Sequence, residues 1–341
     1  MIKYLGSKRK LIPDILKVVQ SYPNVNTVLD LFSGTSRIGY ALKQNGYKVI
    51  SNDYNQYAHT LAICYVEADD DLLDSATKLV KEFNSLVGIP GYFTQTFCIN
   101  SRYFQPKNGE KIDAIREEIE RKGLDPELKA VLLTSLMEAA DRVDSTVGLQ
   151  MAYLKSWSKR SYDDLELRVP KLLPQSPYGK GEAYCLDAFE AAKIRCDLVY
   201  LDPPYNQHSY LGNYHIWETL VKSDKPEVYG IACKRVECKQ KKSVFNSKPK
   251  FVSEFSNLLS SINSNILVIS FNNEGYITKE ELTATLENLW GGDNEVKVVE
   301  KDYSRHVGAK IGIYNLEGEK VGKVGKLKNK EYIFSCKRIL S

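Results

Sequence analysis

Asp202-Pro203-Pro204-Tyr205 packs more chemistry into four residues than any other stretch of this sequence. It follows Asp197-Leu198-Val199-Tyr200-Leu201, an apolar run that reads as a buried strand. Two prolines cannot continue a sheet interior, because they donate no ladder hydrogen bonds. The strand must end there. It then displays a carboxylate, a carbonyl held still by fixed proline φ angles, and a flat aromatic ring. That set suits an exocyclic amine on a base. Such an amine is a poor nucleophile because its lone pair is delocalised into the ring. Donating its two N–H groups to a carboxylate and a carbonyl concentrates electron density on nitrogen. The Tyr205 ring offers a stacking face for a base removed from its helix. A methyl group is then attacked in line, and no metal is expected, since no ligand spacing suggests one.

A second constellation lies near the N-terminus. TVLDLFSG, residues 27–34, reads as a short strand and a Ser33-Gly34 turn. RIGYALKQNG continues at helical spacing to a stop at Gly46, and YKVISND, residues 47–53, is a second strand ending on Asp53. A glycine after the strand lets a cofactor approach the backbone, and an acid ending the next strand can accept from two ribose hydroxyls. Asp53 lies 19 positions after Gly34, close to the roughly 20 this logic expects. The loop is not Gly-x-Gly-x-x-Gly, and Asp30 precedes it. An acid there repels a pyrophosphate and suits a cationic sulfonium cofactor carrying an ammonium group.

These side chains need a sheet to hold them. The strand–turn–helix–strand unit predicts parallel strands with a right-handed crossover. DLVYLD from 197 and NILVISF from 265 predict further strands, and EYIFSCKR a last one. The fold class is therefore α/β, with ligands at the carboxyl ends of the strands. Between Cys64 and Lys180 helical periodicity takes over, from about Asp69 to Val87 and from Glu110 to Trp157. Residues 1–63 and 181–341 are expected to form the catalytic domain, and 64–180 an inserted, mainly helical target-recognition subdomain.

Composition bounds the rest. The 43% hydrophobic and 26% charged fractions are those of an ordinary soluble globular chain. No apolar run approaches the roughly 20 residues of a membrane span, MIKYLGSKRKL lacks a signal-peptide core, and a cytoplasmic location is expected. Seven scattered cysteines show no zinc-like pairing and read as reduced thiols. A net charge of +4 does not by itself indicate nucleic acid. Its distribution says more: Lys234–Lys250 holds seven bases and one acid, and Lys320–Lys330 is also basic. Solvated loops explain either stretch alone, and a phosphate-facing role needs support from the chemistry; 234–250, following the catalytic turn, is the stretch placed to clamp DNA backbone and is expected to be mobile without it.

With those residues in place, the chain resembles a DNA N6-adenine methyltransferase of the Dam-like and type II modification-methylase group, in which the cofactor motif precedes the catalytic motif. MIKYLGSKRKLIPDI is similar to that family's N-terminal cofactor segment, which implies that Tyr4 and Lys8 line the site. DLFSGTSRIG resembles the cofactor loop, implying roles for Asp30, Phe32, Ser33, Gly34 and Thr35, with Asp53 the ribose acid. YCLDAFE resembles the segment whose acid, here Asp187, binds the cofactor adenine. LDPPY is the catalytic motif, with Asp202 also facing the cofactor, and SFNNEGYIT, residues 270–278, resembles a later strand motif. Ser36 stands where the family usually has a second glycine. The resemblance implies a Rossmann-like sheet, S-adenosyl-L-methionine as cofactor and sequence-specific methylation of double-stranded DNA. It also implies a cognate restriction endonuclease as possible partner, with a monomer as default. An Asp at 202 favours adenine; cytosine-N4 enzymes tend to carry Ser there.

DNA contacts are expected from Arg142, Lys155, Lys159 and Arg160, which with Trp157 fall within nineteen positions. For any one of them alone, a solvated helix face is the commoner reading. Tyr210 and Asn213, with Tyr214 and His215, follow the catalytic turn and are expected near the displaced base; a structural histidine is the better reading of His215. Core packing is the better reading of Tyr103 and Phe104. Three other functions remain to be weighed. An RNA methyltransferase shares the core chemistry. A nicotinamide oxidoreductase leaves Asp-Pro-Pro-Tyr unexplained. A non-catalytic DNA-binding module does not need Asp202 and Tyr205.

Overall fold

The computed structural model describes residues 1–207, 209–291, 296–304 and 328–338; most of the 320–330 basic stretch lies outside them. Its centre is a seven-stranded sheet. In chain order the sheet strands are β1 (Thr27–Asp30), β2 (Lys48–Asn52), β3 (Glu182–Tyr184), β4 (Leu198–Leu201), β7 (Ile266–Asn272), β8 (Lys297–Ser304) and β9 (Lys328–Lys337). β5 (Val228–Tyr229) and β6 (Lys234–Arg235) form a separate small hairpin.

The order across the sheet is β3-β2-β1-β4-β7-β9-β8. The first five are parallel, while β9 runs antiparallel between β7 and β8. β4 and β7 are buried along their whole length, as expected of central parallel strands covered on both faces. Alternate residues serve two cores. Leu29, Val199, Leu201, Leu267 and Ile269 pack in one, with helices Lys248–Ser261 and Lys279–Leu286. Val28, Leu198, Tyr200, Ile266 and Val268 pack in the other, with helices Ile12–Gln20 and Arg37–Gln44.

Register is what positions the chemistry. Asp30 pairs with Ser51 of β2 and with Tyr200 of β4. The carboxyl ends of three neighbouring strands therefore lie level. Asp197 fixes this alignment: one of its carboxylate oxygens accepts from the backbone N–H groups of Asn26 and Thr27 at 2.9 and 2.8 Å and from the Thr27 hydroxyl at 2.9 Å. The chain winds outward from β1 to β2 and β3, then returns to lay β4 on the other side of β1. That reversal opens a crevice at the carboxyl ends of β1 and β4.

Between β2 and β3 the main elements are helices, including Leu73–Ser85, Pro106–Arg121 and Pro126–Val143; the helical pattern expected to run on to Trp157 stops at Val143, and 144–181 is irregular apart from the turn Lys159–Tyr162. This block does not stand apart. Its core residues Phe93, Phe97, Phe104, Leu132 and Leu136 belong to one cluster with Ile2, Tyr57, Tyr214, Trp217 and Leu220. No helix among the described residues is long and apolar enough to cross a membrane.

Candidate active site

Asp30, Asp53 and Asp202 converge on one cavity of about 450 Å³ at the crevice between β1 and β4. Gly34 follows β1 at φ +51°, a conformation glycine adopts without cost. A Cβ there would stand 3.1 Å from the Tyr4 ring, so the loop and the N-terminal segment are pressed together. Ser36 adopts φ +57°, ψ +25°, the left-handed region where the family glycine would sit. Serine tolerates the position at some strain. Its hydroxyl is buried without a partner among the described residues, and it does not cap the helix that follows. Asp30 does that instead, accepting the Gly39 N–H at 3.1 Å.

Each carboxyl has its own environment. Asp30 is 1% exposed. Burial and the neighbouring Asp202 charge push its carboxyl up to about 8, against the pull of the Gly39 N–H. Asp53 accepts the Gly34 N–H at 3.0 Å through one oxygen and the Asn55 backbone and side-chain N–H groups at 2.9 and 3.0 Å through the other. Burial outweighs these bonds and raises it. Asp187 is exposed at the rim and caps the short helix Ala188–Ala191 by accepting the Phe189 N–H at 2.9 Å. Asp202, one residue past β4, is raised to about 6 by burial, with the Lys8 ammonium pulling it down and Glu331 pushing it up.

Lys8 is 5% exposed and faces the catalytic motif. Its ammonium lies 3.3 Å from Asp202 Oδ1, 3.0 Å from Glu331 Oε2 and 3.4 Å from the Tyr205 hydroxyl. Tyr4 lies between Tyr210 and Tyr214, near-parallel to both at 5.3 and 4.6 Å. Tyr4, Phe32, Ser33, Thr35, Pro204 and Tyr210 all line the cavity. Pro203 and Tyr205 are not among its lining. The Tyr205 ring packs on Phe271 at 4.8 Å, and its hydroxyl accepts from Asn272 at 2.9 Å. The SFNNEGYIT segment thus holds Tyr205 from behind.

Several residues expected to face DNA are committed elsewhere. The Arg160 guanidinium is bound to Asp144 and to the Thr146 carbonyl. Arg142 donates to the Glu166 carbonyl. Asn213 is 3% exposed, and its backbone carbonyl accepts from Gln150. The two arginines hold loops together, and Asn213 is buried away from solvent, with its side-chain N–H group unbonded among the described residues. Lys155 and Lys159 are exposed. Tyr103 and Phe104 are core residues, and His215 is buried with Nε2 3.0 Å from the Gln150 carbonyl.

The 234–250 stretch also differs from a basic loop over DNA. Arg235 is buried between Asp224 and Glu237. Gln240–Asn246 lies against the cavity, where Phe245 meets Phe32 edge-on and Lys241 sits 5.3 Å from the Tyr54 ring centre. Charge count alone hid this, because the contacts are made by the Phe245 ring and by the Lys241 ammonium over an aromatic face. Sequence reasoning also passed over Tyr54 and Leu186, flat or apolar faces on the wall. Position alone could have found Tyr54, which follows Asp53. No signal near 331 pointed to Glu331, since its strand lies far along the chain.

A doubly wound sheet with an acid-rich cavity at its reversal point defines a Rossmann-like methyltransferase fold. The chain belongs to the D12 class N6 adenine-specific DNA methyltransferases, whose family model matches residues 4–284. It is 32% identical to the modification methylase StsI of Streptococcus sanguinis over 92% of this chain and 51% of that protein. It is 30% identical to the type II methyltransferase M.NlaIII of Neisseria lactamica, over 89% of this chain and 92% of that one. The type II methyltransferase M.FokI of Planomicrobium okeanokoites is 29% identical over 84% of this chain and 47% of its own length. The chain thus spans about half of two of these relatives and most of the third.

Proposed function

We propose that this protein transfers a methyl group from S-adenosyl-L-methionine to the N6 amine of an adenine turned out of double-stranded DNA. The observation that carries the reading is the meeting of Asp202 with Asp30 and Asp53 around one cavity. The residues fit the cofactor's chemistry. Asp30 matches its ammonium, Asp53 its ribose hydroxyls and Asp187 its adenine amine. The Ser33 hydroxyl, buried on the cavity wall with no partner among the described residues, is an unspent polar group. Gly34 and Thr35 present backbone, and Tyr4 and Phe32 present apolar faces. When bound, the cofactor supplies an activated methyl group. Asp202 and the carbonyl next to it accept the two N–H bonds of the target amine, leaving its lone pair toward the methyl. Lys155 and Lys159 supply phosphate contacts. The type II modification methylases among the relatives support a role in restriction–modification, with a cognate nuclease as partner.

The test is chemical. The protein is incubated with unmethylated plasmid and S-adenosylmethionine labelled in its methyl group, and the DNA is digested to nucleosides. Label in N6-methyladenine is the expected result. Label in N4-methylcytosine overturns the choice of base. Label only in added RNA overturns the choice of polymer.

A further inference from the structure

We infer that Glu331 is a positioning residue for methyl transfer: it draws the Lys8 ammonium off Asp202, leaving that carboxylate able to take the target amine. The inference rests on Asp202 being the amine acceptor. Glu331 sits on β9, beyond the residues matched by the family model. It is 7% exposed and aligned with Asn272 of β7, whose side chain holds the Tyr205 hydroxyl.

The geometry is a three-body one. Lys8 stands nearer to Glu331, at 3.0 Å, than to Asp202, at 3.3 Å. Among the described residues Lys8 is the ion-pair partner of Asp202, its ammonium 3.3 Å from Oδ1. If Glu331 were neutral, the lysine would be left with Asp202 alone. A buried ammonium facing one carboxylate closes on it, because the Tyr205 hydroxyl, at 3.4 Å, compensates little of its desolvation. That closed pair would compete with the amine for the same oxygen. Glu331 prevents this.

Charge gives a second effect. Lys8, Asp202 and Glu331 together carry one net negative charge when both acids are ionised. The attacking nitrogen becomes positive as it takes the methyl group. A net anionic cluster stabilises that developing charge more than it stabilises the neutral amine. Removing the Glu331 charge makes the cluster neutral, and the loss falls on kcat more than on KM.

The groups facing Asp202 are Lys8 of the N-terminal segment, Asp30 of β1, Tyr200 of β4, Tyr205 and Tyr210 after it, and Glu331 of β9. Of these only Glu331 both repels Asp202 and holds its cation. Glu331→Gln should therefore move Asp202 toward the ordinary carboxylate range.

The experiment measures single-turnover methylation of plasmid DNA against pH for wild type, Glu331→Gln, Glu331→Asp, Lys8→Gln and the Lys8→Gln/Glu331→Gln double variant. Glu331→Gln should lower the plateau rate roughly ten- to hundredfold. Its acid limb should move to lower pH by about one unit. Glu331→Asp should recover part of the rate, and Glu331→Gln should cost less in the Lys8→Gln background, where only its charge on the developing cation is lost. Circular dichroism checks that each variant folds. An unchanged limb and plateau in folded Glu331→Gln overturns the inference. So does an equal loss with and without Lys8. If wild type transfers no methyl group, it is the proposed function that fails.

Discussion

Asp202 and Asp30 lie close enough to feel each other's charge, yet the reaction asks different things of them. On the proposed mechanism Asp202 must be ionised to accept the amine N–H. Its folded value of about 6 lies above the ordinary carboxylate range, so activity should fall as pH drops through 6 and reach its plateau about a unit above it. Methyl transfer under subsaturating DNA should rise with pH through about 6 and then level. Asp202→Ala should cut the rate by about a thousandfold or more while gel-shift affinity for DNA stays within a few-fold. Substantial turnover in that variant would remove Asp202 from the mechanism. Asp30, near 8, holds a proton at neutral pH until a cation arrives. Binding the cofactor's ammonium should expel that proton. Calorimetry at pH 7 should show close to one proton released, read from the dependence of binding heat on buffer ionisation, with affinity weakening as pH falls below 8. A heat independent of buffer would separate Asp30 from the ammonium. Sequence revealed these acids because each ends a strand with a distinct apolar run. It did not reveal Glu331, whose partner Lys8 is over three hundred residues away. Nor did it show that Arg142 and Arg160 are spent on Glu166 and Asp144, since a guanidinium's partner is chosen by tertiary packing.

At the scale of elements, the β1 loop shows how strain and function share one turn. The predicted helix after Ser36 forms as Arg37–Gln44 and stops before Gly46. Periodicity was enough to find it. What the pattern left open was how a chain with serine at the second glycine position could make the loop. It does so by holding Ser36 at φ +57° and burying an unbonded hydroxyl, while Asp30 caps the helix in its place. Both features cost stability. Ser36→Gly should therefore stabilise the protein by about 1 kcal/mol, since a left-handed non-glycine residue carries a penalty of roughly 1–2 kcal/mol, partly offset by glycine's greater unfolded-state freedom. Urea denaturation monitored by circular dichroism would show the midpoint rise with an unchanged slope. A lower midpoint would mean that the serine hydroxyl makes a bond that matters more than the backbone does.

The whole molecule behaves less like two domains than its hydropathy pattern suggests. The change of periodicity after β2 is visible in the sequence, and the expected block of helices is there. The expected boundaries at 64 and 180 are harder to find in space. Tyr57 and Leu61, before the block, and Tyr214, Trp217 and Leu220, well after it, share one core with Phe93, Phe97 and Leu136 inside it. Hydrophobic pattern tells which residues are buried but not which neighbours bury them, so a common core cannot be read from it. Trp217 marks the seam: it is 1% exposed and lies in the helix that follows the catalytic turn. Its ring approaches Phe104 at 6.4 Å. That seam packs the helical block on the helices Gln56–Ala62 and His215–Lys222 that flank the sheet, and should couple them into one cooperative unit. Scanning calorimetry should give a single endotherm rather than two, and saturating S-adenosylmethionine should raise all of it together. Trp217→Ala should remove about 3–5 kcal/mol and lower the thermal midpoint of both parts. If instead that variant split the endotherm, with one component still shifted by cofactor, the helical block and the sheet would be separate folding units, and the shared core would contribute contact without cooperativity.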